Sequence, residues 1–370
     1  MSAPSFAARV VRWQSRHGRH DLPWQGSRDP YRIWISEIML QQTQVSTVIA
    51  YYERFIARFP DVASLASAQP DDVLALWSGL GYYARARNLL AAARIVAAEG
   101  GAFPRTFDAL VALPGIGRST AAAIAAFAEG ERRAILDGNV RRVLARHAGE
   151  AGDPASARVV ARLWALAEAR LPKSAIEAYT QGLMDLGATV CTARDPACAR
   201  CPVARDCVAR AEERWHELPG KRRKARGARR GIAMLVVIDR GDVLLERRPA
   251  AGIWGGLWSL PEAPDSGSVR RIARQWGIEA ARLERLEPFE HAFTHFILEV
   301  APWRVHARKP ASRRPDALWL PLSEIEGAAL PSPVKKLLRR SASAAAGSGA
   351  APQAAASRRS ARGASASRRS

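Results

Sequence analysis

The chain has 370 residues, enough for two or more domains with hydrophobic cores of their own. Its 56 Lys and Arg residues exceed its 35 Asp and Glu residues, and the net charge of +21 indicates a polyanionic partner, most simply nucleic acid. Eleven Trp residues and a hydrophobic fraction of 48% exclude a wholly disordered basic protein.

The sequence contains no apolar run of about 18 residues, and residues 1–14 lack the apolar core of a signal peptide. We therefore expect a soluble, monomeric intracellular protein of the cytoplasm or nucleoid, without a membrane partner.

Residues 30 to 59 carry apolar side chains at helical spacing, which predicts helical structure. Glu37 interrupts this face, because it lies one turn from Ile33 and Trp34. A carboxyl group there loses hydration, which raises its pKa and suits a general acid near neutral pH. The alternative is a surface glutamate at the edge of the apolar stripe.

Two polar segments follow. Gln41-Gln42-Thr43 offers neutral donors and acceptors suited to a nucleobase edge, although ordinary helix surfaces carry the same residues. WSGLGYYARAR (residues 77–87) brings two tyrosines and two arginines to the start of a predicted helix that continues to Glu99. Aromatic rings beside cations suit a surface that stacks on bases and contacts phosphates. The alternative is a packed tyrosine pair with solvated arginines.

The motif Pro114-Gly115-Ile116-Gly117 separates two predicted helices, Phe107–Leu113 and Arg118–Ala128, in a helix-hairpin-helix pattern at about 106–128. The unpaired N–H groups that begin the second helix form a ready phosphate site. The glycine pair alone is weak evidence, because Thr120 replaces the third glycine of the dinucleotide-binding fingerprint and no strand precedes it.

Asp137 precedes a further predicted helix, Val140–His147, and a role as its N-cap explains the residue without catalysis. More helices are predicted at Ala155–Arg170 and Ser174–Leu186.

All four cysteines lie close together, as Cys191-x6-Cys198-x2-Cys201-x5-Cys207. This confinement favours a metal site over a disulfide framework in an intracellular protein. A zinc site more usually has two close pairs or includes His, whereas these uneven spacings suit a [4Fe–4S] cluster. Zinc remains the alternative from spacing alone.

The composition and the predicted secondary structure of the chain change after the cysteines. The run Lys221–Arg230 is strongly basic and predicts an exposed linker, which either contacts DNA or only favours solubility. Beyond it, paired strands are predicted at Ile232–Ile238 and Val243–Glu246, a helix at Val269–Trp276, and strands at Arg285–Pro288 and Thr294–Val305.

The predicted organisation is therefore a helical domain at 1–214, a basic linker at 215–230, an α+β domain at 231–340, and a disordered tail at 341–370, where large apolar residues are almost absent.

Several separated motifs carry a resemblance to a known family. These are Leu22-Pro23-Trp24, SEIMLQQTQV (36–45), GLGYYARA (79–86), the glycine hairpin, Leu136-Asp137-Gly138-Asn139 and the cysteine spacing. Over roughly residues 6–340 the chain resembles the iron–sulfur, helix-hairpin-helix DNA glycosylases and, among them, the adenine DNA glycosylase (MutY) family. The resemblance implies a mostly α N-terminal glycosylase fold with a [4Fe–4S] loop at 191–207, followed by an α+β Nudix-like domain.

The resemblance implies removal of adenine mispaired with 8-oxoguanine, and also with guanine, from double-stranded DNA in base-excision repair, after the adenine has been flipped into a pocket. Glu37 matches the family's general acid, which protonates adenine at N7. Asp137 matches the carboxylate, ionised by hydrogen bonds at a helix start, that stabilises an oxocarbenium-like sugar, and Asn139 matches a helper beside it.

Other positions match residues that contact the DNA or the lesion. Gln42, Thr43, Leu80 and Tyr82 match positions around the oxidised guanine, with Tyr82 wedged into the base stack. The phosphate-binding hairpin is matched by Gly115 and Gly117. Ser119 lies on the same hairpin, where relatives that also cut the strand have a Schiff-base Lys, so a monofunctional glycosylase is predicted.

The resemblance also assigns a role to the C-terminal domain. The Nudix catalytic box is absent, because residues 261–276 hold no cluster of glutamates for Mg²⁺. The domain is therefore expected to recognise 8-oxoguanine, and Phe293, Thr294 and His295 match the family's recognition loop, in which Ser is the common middle residue.

Three alternative functions stay open. They are a bifunctional, endonuclease III-like glycosylase/lyase for oxidised pyrimidines, a non-catalytic iron–sulfur DNA-binding protein, and a Nudix hydrolase of damaged nucleotides.

Overall fold

A computed structural model describes residues 4–220, 228–278, 282–293, 295–306 and 314–348. Thr294 of the predicted recognition loop, residues 221–227 of the predicted basic linker and tail residues 349–370 lie outside the described residues. None of the helices within these ranges is long and apolar enough to cross a bilayer.

The first part of the chain is helical. Its helices are α1 (Phe6–His17), α2 (Pro30–Leu40), α3 (Val45–Arg58), α4 (Val62–Ala66), α5 (Pro70–Trp77), α6 (Ala84–Ala98), α7 (Phe107–Val111), α8 (Arg118–Glu129), α9 (Gly138–Ala148), α10 (Ala157–Ala169), α11 (Ile176–Asp185) and α12 (Val208–Ala211). A π-helical turn, Leu186–Val190, continues α11 towards the cysteines.

The continuous apolar pattern predicted over 30–59 is divided into two helices. Asp29 caps α2 by accepting the Tyr31 N–H at 3.0 Å, and Pro30 occupies the first turn, where its missing N–H is no loss. The break after Leu40 has no Gly or Pro to signal it; Gln42 has a φ of +57°, a left-handed conformation that ends helical geometry.

The second part of the chain forms a mixed sheet. Its strands are β1 (Ala228–Asp239), β2 (Asp242–Arg247), β3 (Trp258–Ser259), β4 (Glu262–Ala263), β5 (Arg282–Arg285), β6 (Phe289–Ala292), β7 (Phe296–His306) and β8 (Ala317–Pro321). The order β3-β2-β1-β7-β5 has β1 parallel to β7, while β4, β6 and β8 pair antiparallel with β1, β7 and β2 respectively. Helix α13 (Val269–Gln275) packs on one face, and α14 spans Ser332–Ser348.

The mostly α first part and the α+β second part confirm the predicted fold class, and the predicted β1–β2 pair forms. The strand predicted at Arg285–Pro288 is wrong. β5 ends at Arg285 and β6 begins at Phe289, with Pro288 between them, because Pro has no N–H to donate to a ladder.

Two boundary predictions also differ from the structure. β1 begins at Ala228, so the last three residues predicted as linker pair with β7 instead. At the other end, α14 continues to Ser348 through residues predicted to be disordered, because the Ala-rich sequence there has high helix propensity.

The two parts of the chain share one hydrophobic core, in which Trp34 and Trp77 belong to the same cluster as Val236 and Leu337. Polar contacts reinforce this junction. The Asp71 carboxylate accepts the Arg247 guanidinium at 2.7 Å and the Trp258 indole N–H at 3.1 Å.

Candidate active site

Glu37 lies on α2 between buried apolar neighbours, and its half-buried side chain lines a cavity of about 510 Å³. Burial, together with the smaller effect of the Asp137 charge, raises the pKa of Glu37 to about 8. The carboxyl group therefore holds its proton at neutral pH. This agrees with the expectation from the position of Glu37 on the apolar face.

Asp137 is the N-cap of α9 and accepts the Val140 N–H at 2.7 Å. Burial raises its pKa, against the opposing effects of the Val140 and Asn139 N–H groups and of Arg142 and Arg141. Desolvation therefore outweighs the hydrogen bonds in setting the pKa of Asp137. Ionised Asp137 in turn favours the protonated form of Glu37.

The side chain of Asn139 is connected to the cysteine segment. Its Oδ1 accepts a hydrogen bond from Arg142 at 2.8 Å, and the same guanidinium donates to the carbonyls of Cys191 and Gly187 at 2.7 and 2.6 Å. Arg142 therefore connects the Asn139 side chain to the backbone of the first cysteine, Cys191.

The polar floor of the cavity was missed by the sequence analysis. Asp185, fully buried, accepts the Arg19 backbone N–H at 2.9 Å, the Arg19 guanidinium at 2.7 Å and the Gln181 amide at 2.8 Å. Arg19 and Gln181 line the cavity that Glu37 also lines. The sequence contains one sign of this buried group, because Asp185 is a carboxylate between apolar residues at the end of a predicted helix.

A second cleft of about 750 Å³ lies between the helical part and the sheet. It is lined by Gln42 and Tyr82 from one side and by Phe293 from the other, and Tyr82 is 46% exposed. Phe293 stacks on Phe296 with ring centroids 4.6 Å apart. Three of the predicted lesion residues are thus brought to one cleft by separate parts of the chain.

Among the described residues, Leu80, Thr43 and His295 do not belong to the lining of this cleft. Leu80 is buried, and the Thr43 hydroxyl donates to the Gln41 carbonyl at 3.3 Å. His295 is exposed but lies outside the lining.

The hairpin has the geometry that its glycines require. Gly115 has a φ of +79°, and a Cβ there would lie 2.8 Å from the Cβ of Asn88. Gly117 is exposed and caps α8 without a side chain, so no N-cap side chain accepts a hydrogen bond from the first N–H groups of α8. The Ser119 hydroxyl accepts the Leu136 N–H at 2.9 Å and so anchors the residue before Asp137.

The four cysteines are free thiols that line one small cavity of about 30 Å³. Within the described residues, no three Cys, His, Asp or Glu side chains are arranged to hold a single metal ion. Buried Arg146 donates to Cys191 Sγ at 3.5 Å and otherwise to backbone carbonyls, so a negative charge among the thiols would be compensated. Burial raises the pKa of the Cys201 thiol to about 12, which means that only a bound cation would deprotonate it near neutral pH.

Comparisons with known proteins follow this division of the chain. Residues 35–169 match the family model of the HhH-GPD superfamily of base excision DNA repair proteins, and residues 233–340 match the NUDIX domain model. The adenine DNA glycosylase of Buchnera aphidicola subsp. Acyrthosiphon pisum is 35% identical, covering 90% of this chain and 96% of the relative. The human adenine DNA glycosylase is 33% identical, covering 90% of this chain and 73% of the relative.

Among solved structures, a thermostable thymine-DNA glycosylase superposes with a TM-score of 0.51 at 30% identity, covering 56% of this chain and 95% of that one. Both curated relatives cover nine-tenths of this chain, so their similarity extends over the helical part and the sheet alike.

Proposed function

We propose that this chain, which belongs to the adenine DNA glycosylase family of base-excision repair enzymes, hydrolyses the N-glycosidic bond of adenine in double-stranded DNA. The adenine it removes is paired with 8-oxoguanine or with guanine. The proposal rests on the carboxyl groups of Glu37 and Asp137. Burial keeps the Glu37 carboxyl group protonated, and this group lines the 510 Å³ cavity.

The reaction uses the two carboxyl groups in different roles. An adenine flipped out of the duplex enters the 510 Å³ cavity, where Arg19 and Gln181 supply hydrogen-bond groups. Glu37 donates its proton to N7 of the base, which leaves as a neutral molecule once the glycosidic bond breaks. Asp137 stabilises the positive charge on the sugar, and water then attacks the anomeric carbon and gives up a proton to the Glu37 carboxylate.

Recognition of the opposite base is assigned to the second cleft. Tyr82 projects beside Gln42 from the helical part, and Phe293 faces them from the sheet. An exposed aromatic ring can stack between bases, while an amide can hydrogen-bond a base edge. Thr294 and His295 are proposed to complete recognition of the oxidised guanine.

DNA binding is proposed to centre on the hairpin. The N–H groups that begin α8 are available to a phosphate, and the net charge of +21 favours a polyanion throughout. Ser119 has no amine, so no Schiff base forms at this position and the strand stays intact.

Base release from three matched duplexes tests this proposal, carrying adenine opposite 8-oxoguanine, guanine or thymine. We expect release from the first two, fastest opposite 8-oxoguanine, with strand scission only after alkali treatment. No adenine release under single-turnover conditions would refute the glycosylase assignment. Scission of a thymine-glycol duplex without alkali, with trapping by borohydride, would instead support the bifunctional alternative.

We also propose that Cys191, Cys198, Cys201 and Cys207 hold a [4Fe–4S] cluster. All four thiols line one cavity, and this arrangement suits a cluster in which each thiolate binds a different iron. When bound, the cluster would fix the loop that carries Cys191, whose carbonyl is hydrogen-bonded to Arg142 and through it to Asn139.

Iron analysis of the purified protein checks the cluster assignment. We expect about four iron atoms per chain, from the composition of the cluster, together with the brown colour of thiolate-bound iron. Cys201→Ser is expected to lose iron and to lower the melting temperature, because the ligand segment then lacks its cross-link. A colourless, zinc-loaded and fully active protein would contradict the assignment.

A further inference from the structure

Arg85, on α6, is a buried cation that donates to five backbone carbonyls and one hydroxyl group. It is only 8% exposed. One terminal nitrogen donates to the carbonyls of Ile38, Met39 and Gln41 at 2.8, 2.9 and 2.6 Å. A phosphate-binding role, expected for an arginine of this motif, is therefore wrong for this side chain, because its donors are directed inwards.

The second terminal nitrogen of Arg85 contacts a different segment. It donates to the carbonyls of Leu80 and Gly81 at 3.3 and 3.2 Å, and to the Thr43 hydroxyl at 3.2 Å. Burial lowers the pKa of Arg85 to about 10, so it stays protonated at neutral pH. One guanidinium thus joins the end of α2 to the loop 79–82.

Both joined segments have backbone conformations that regular hydrogen bonding does not maintain. Gln42 and Tyr82 have φ values of +57° and +48°, unusual for residues with side chains, and Gly79 and Gly81 are also left-handed. Such conformations persist only where surrounding contacts determine them. The Arg85 donors supply such contacts to both segments at once.

The two segments lead to the two sites already described. Glu37 immediately precedes the Ile38 carbonyl that Arg85 holds, and it lines the 510 Å³ cavity. Gln42 and Tyr82 line the 750 Å³ cleft. Arg85 therefore lies between the carboxyl group proposed for proton donation and the surface proposed for recognition of the opposite base.

We propose that Arg85 is a positioning residue that holds α2 and the 79–82 loop in one fixed relation, so that occupation of the 750 Å³ cleft determines how well Glu37 is placed for the reaction. This inference rests on the proposed function. Its specific consequence is that Arg85 affects discrimination between opposite bases as well as the rate of base release.

Arg94 provides a matched control on the same helix. It also bridges backbone carbonyls, donating to Ala66 and Ala68 at 3.3 and 3.0 Å, but reaches neither of the segments held by Arg85. Among the described residues, exposed Arg94 makes only these two hydrogen bonds, so Arg94→Gln removes a weaker arginine–carbonyl tie from α6 without altering either site.

The experiment compares Arg85→Gln, Arg85→Lys and Arg94→Gln with the unsubstituted full chain in single-turnover release of adenine opposite 8-oxoguanine or guanine. The reaction amplitude gives the concentration of active molecules, and rates are expressed per active molecule, so that a smaller folded fraction does not lower the measured rate. We expect Arg85→Gln to slow release opposite 8-oxoguanine by about 100-fold, the scale of a small misplacement of reacting groups, and to reduce the preference over guanine. Arg85→Lys, which keeps the charge but has only one donor nitrogen, should release adenine at a rate between those of the parent and Arg85→Gln. Arg94→Gln should have the parent rate.

Amide hydrogen exchange supplies a measurement that needs no activity. Arg85→Gln, or Arg85→Lys if the former does not fold, should accelerate exchange in both residues 38–44 and residues 79–83. Arg94→Gln should accelerate exchange in neither segment. An unchanged rate per active molecule with an unchanged preference, or faster exchange in only one segment, would overturn the inference. If the unsubstituted chain releases no adenine, the proposed function fails, and joint exchange of the two segments alone decides whether Arg85 couples them.

Discussion

Replacement of Glu37 by Gln is expected to reduce adenine release by about 1,000-fold or more, within the range for loss of a general acid. Gln has nearly the same shape and can still hydrogen-bond in the cavity, but its amide has no proton to transfer at neutral pH. Burial raises the pKa of Glu37 to about 8, so the native residue does have that proton. The measurement is the single-turnover rate on a duplex with adenine opposite 8-oxoguanine.

The control for this variant is Glu53→Gln, which neutralises an exposed carboxylate on the neighbouring helix α3. It should keep the parent rate. Affinity of Glu37→Gln for the mispaired duplex should also be retained, since the hairpin and the second cleft are untouched. A Glu37→Gln enzyme with more than a tenth of the parent rate would exclude Glu37 as the acid.

The pH profile follows from the same pKa. Glu37 is protonated below about 8 and loses its proton above it, so the parent rate should fall as pH rises through that value. The Gln variant should lack this fall. The folded pKa also lies above the unfolded value of 4.5, which means that ionisation of Glu37 destabilises the fold as pH rises from 4.5 to 8. Glu37→Gln should therefore melt at a higher temperature than the parent at pH 9, and gain less at pH 5.

Glu37 shows why part of the site was predictable from sequence. Its spacing from Ile33 and Trp34 was enough to place a carboxyl group on an apolar face, and desolvation then follows from physics alone. Asp137 was recognisable as a cap for the same local reason. Its net pKa direction was not, because it depends on how deeply the surrounding helices bury it.

Arg85 and Asp185 show what local sequence does not reveal. An arginine that follows a tyrosine pair has the same sequence pattern whether it faces DNA or six backbone and side-chain acceptors inside the protein. Its actual role depends on a left-handed turn at Gln42 that no Gly or Pro announces. Asp185 likewise acquires its role only from Arg19, more than 160 residues away in the chain.

The second large effect is expected from Asp137→Asn. Asn is as good an N-cap as Asp, so acceptance of the Val140 N–H and the start of α9 should be preserved. A neutral amide cannot stabilise the developing positive charge on the sugar. Removal of one such electrostatic contact costs about 100- to 1,000-fold in rate, and we expect a loss of that size in single-turnover release.

Asp61→Asn separates catalysis from capping in this prediction. Asp61 caps α4 by accepting the Ser64 N–H at 2.8 Å, on the exposed surface, so its replacement repeats the chemical change away from the site. It should leave the rate unchanged. Because burial raises the pKa of Asp137, its replacement should also stabilise the fold at neutral pH. A more stable Asp137→Asn protein with a much lower rate is the result that a catalytic carboxylate requires, whereas an unchanged rate would leave Asp137 as a helix cap.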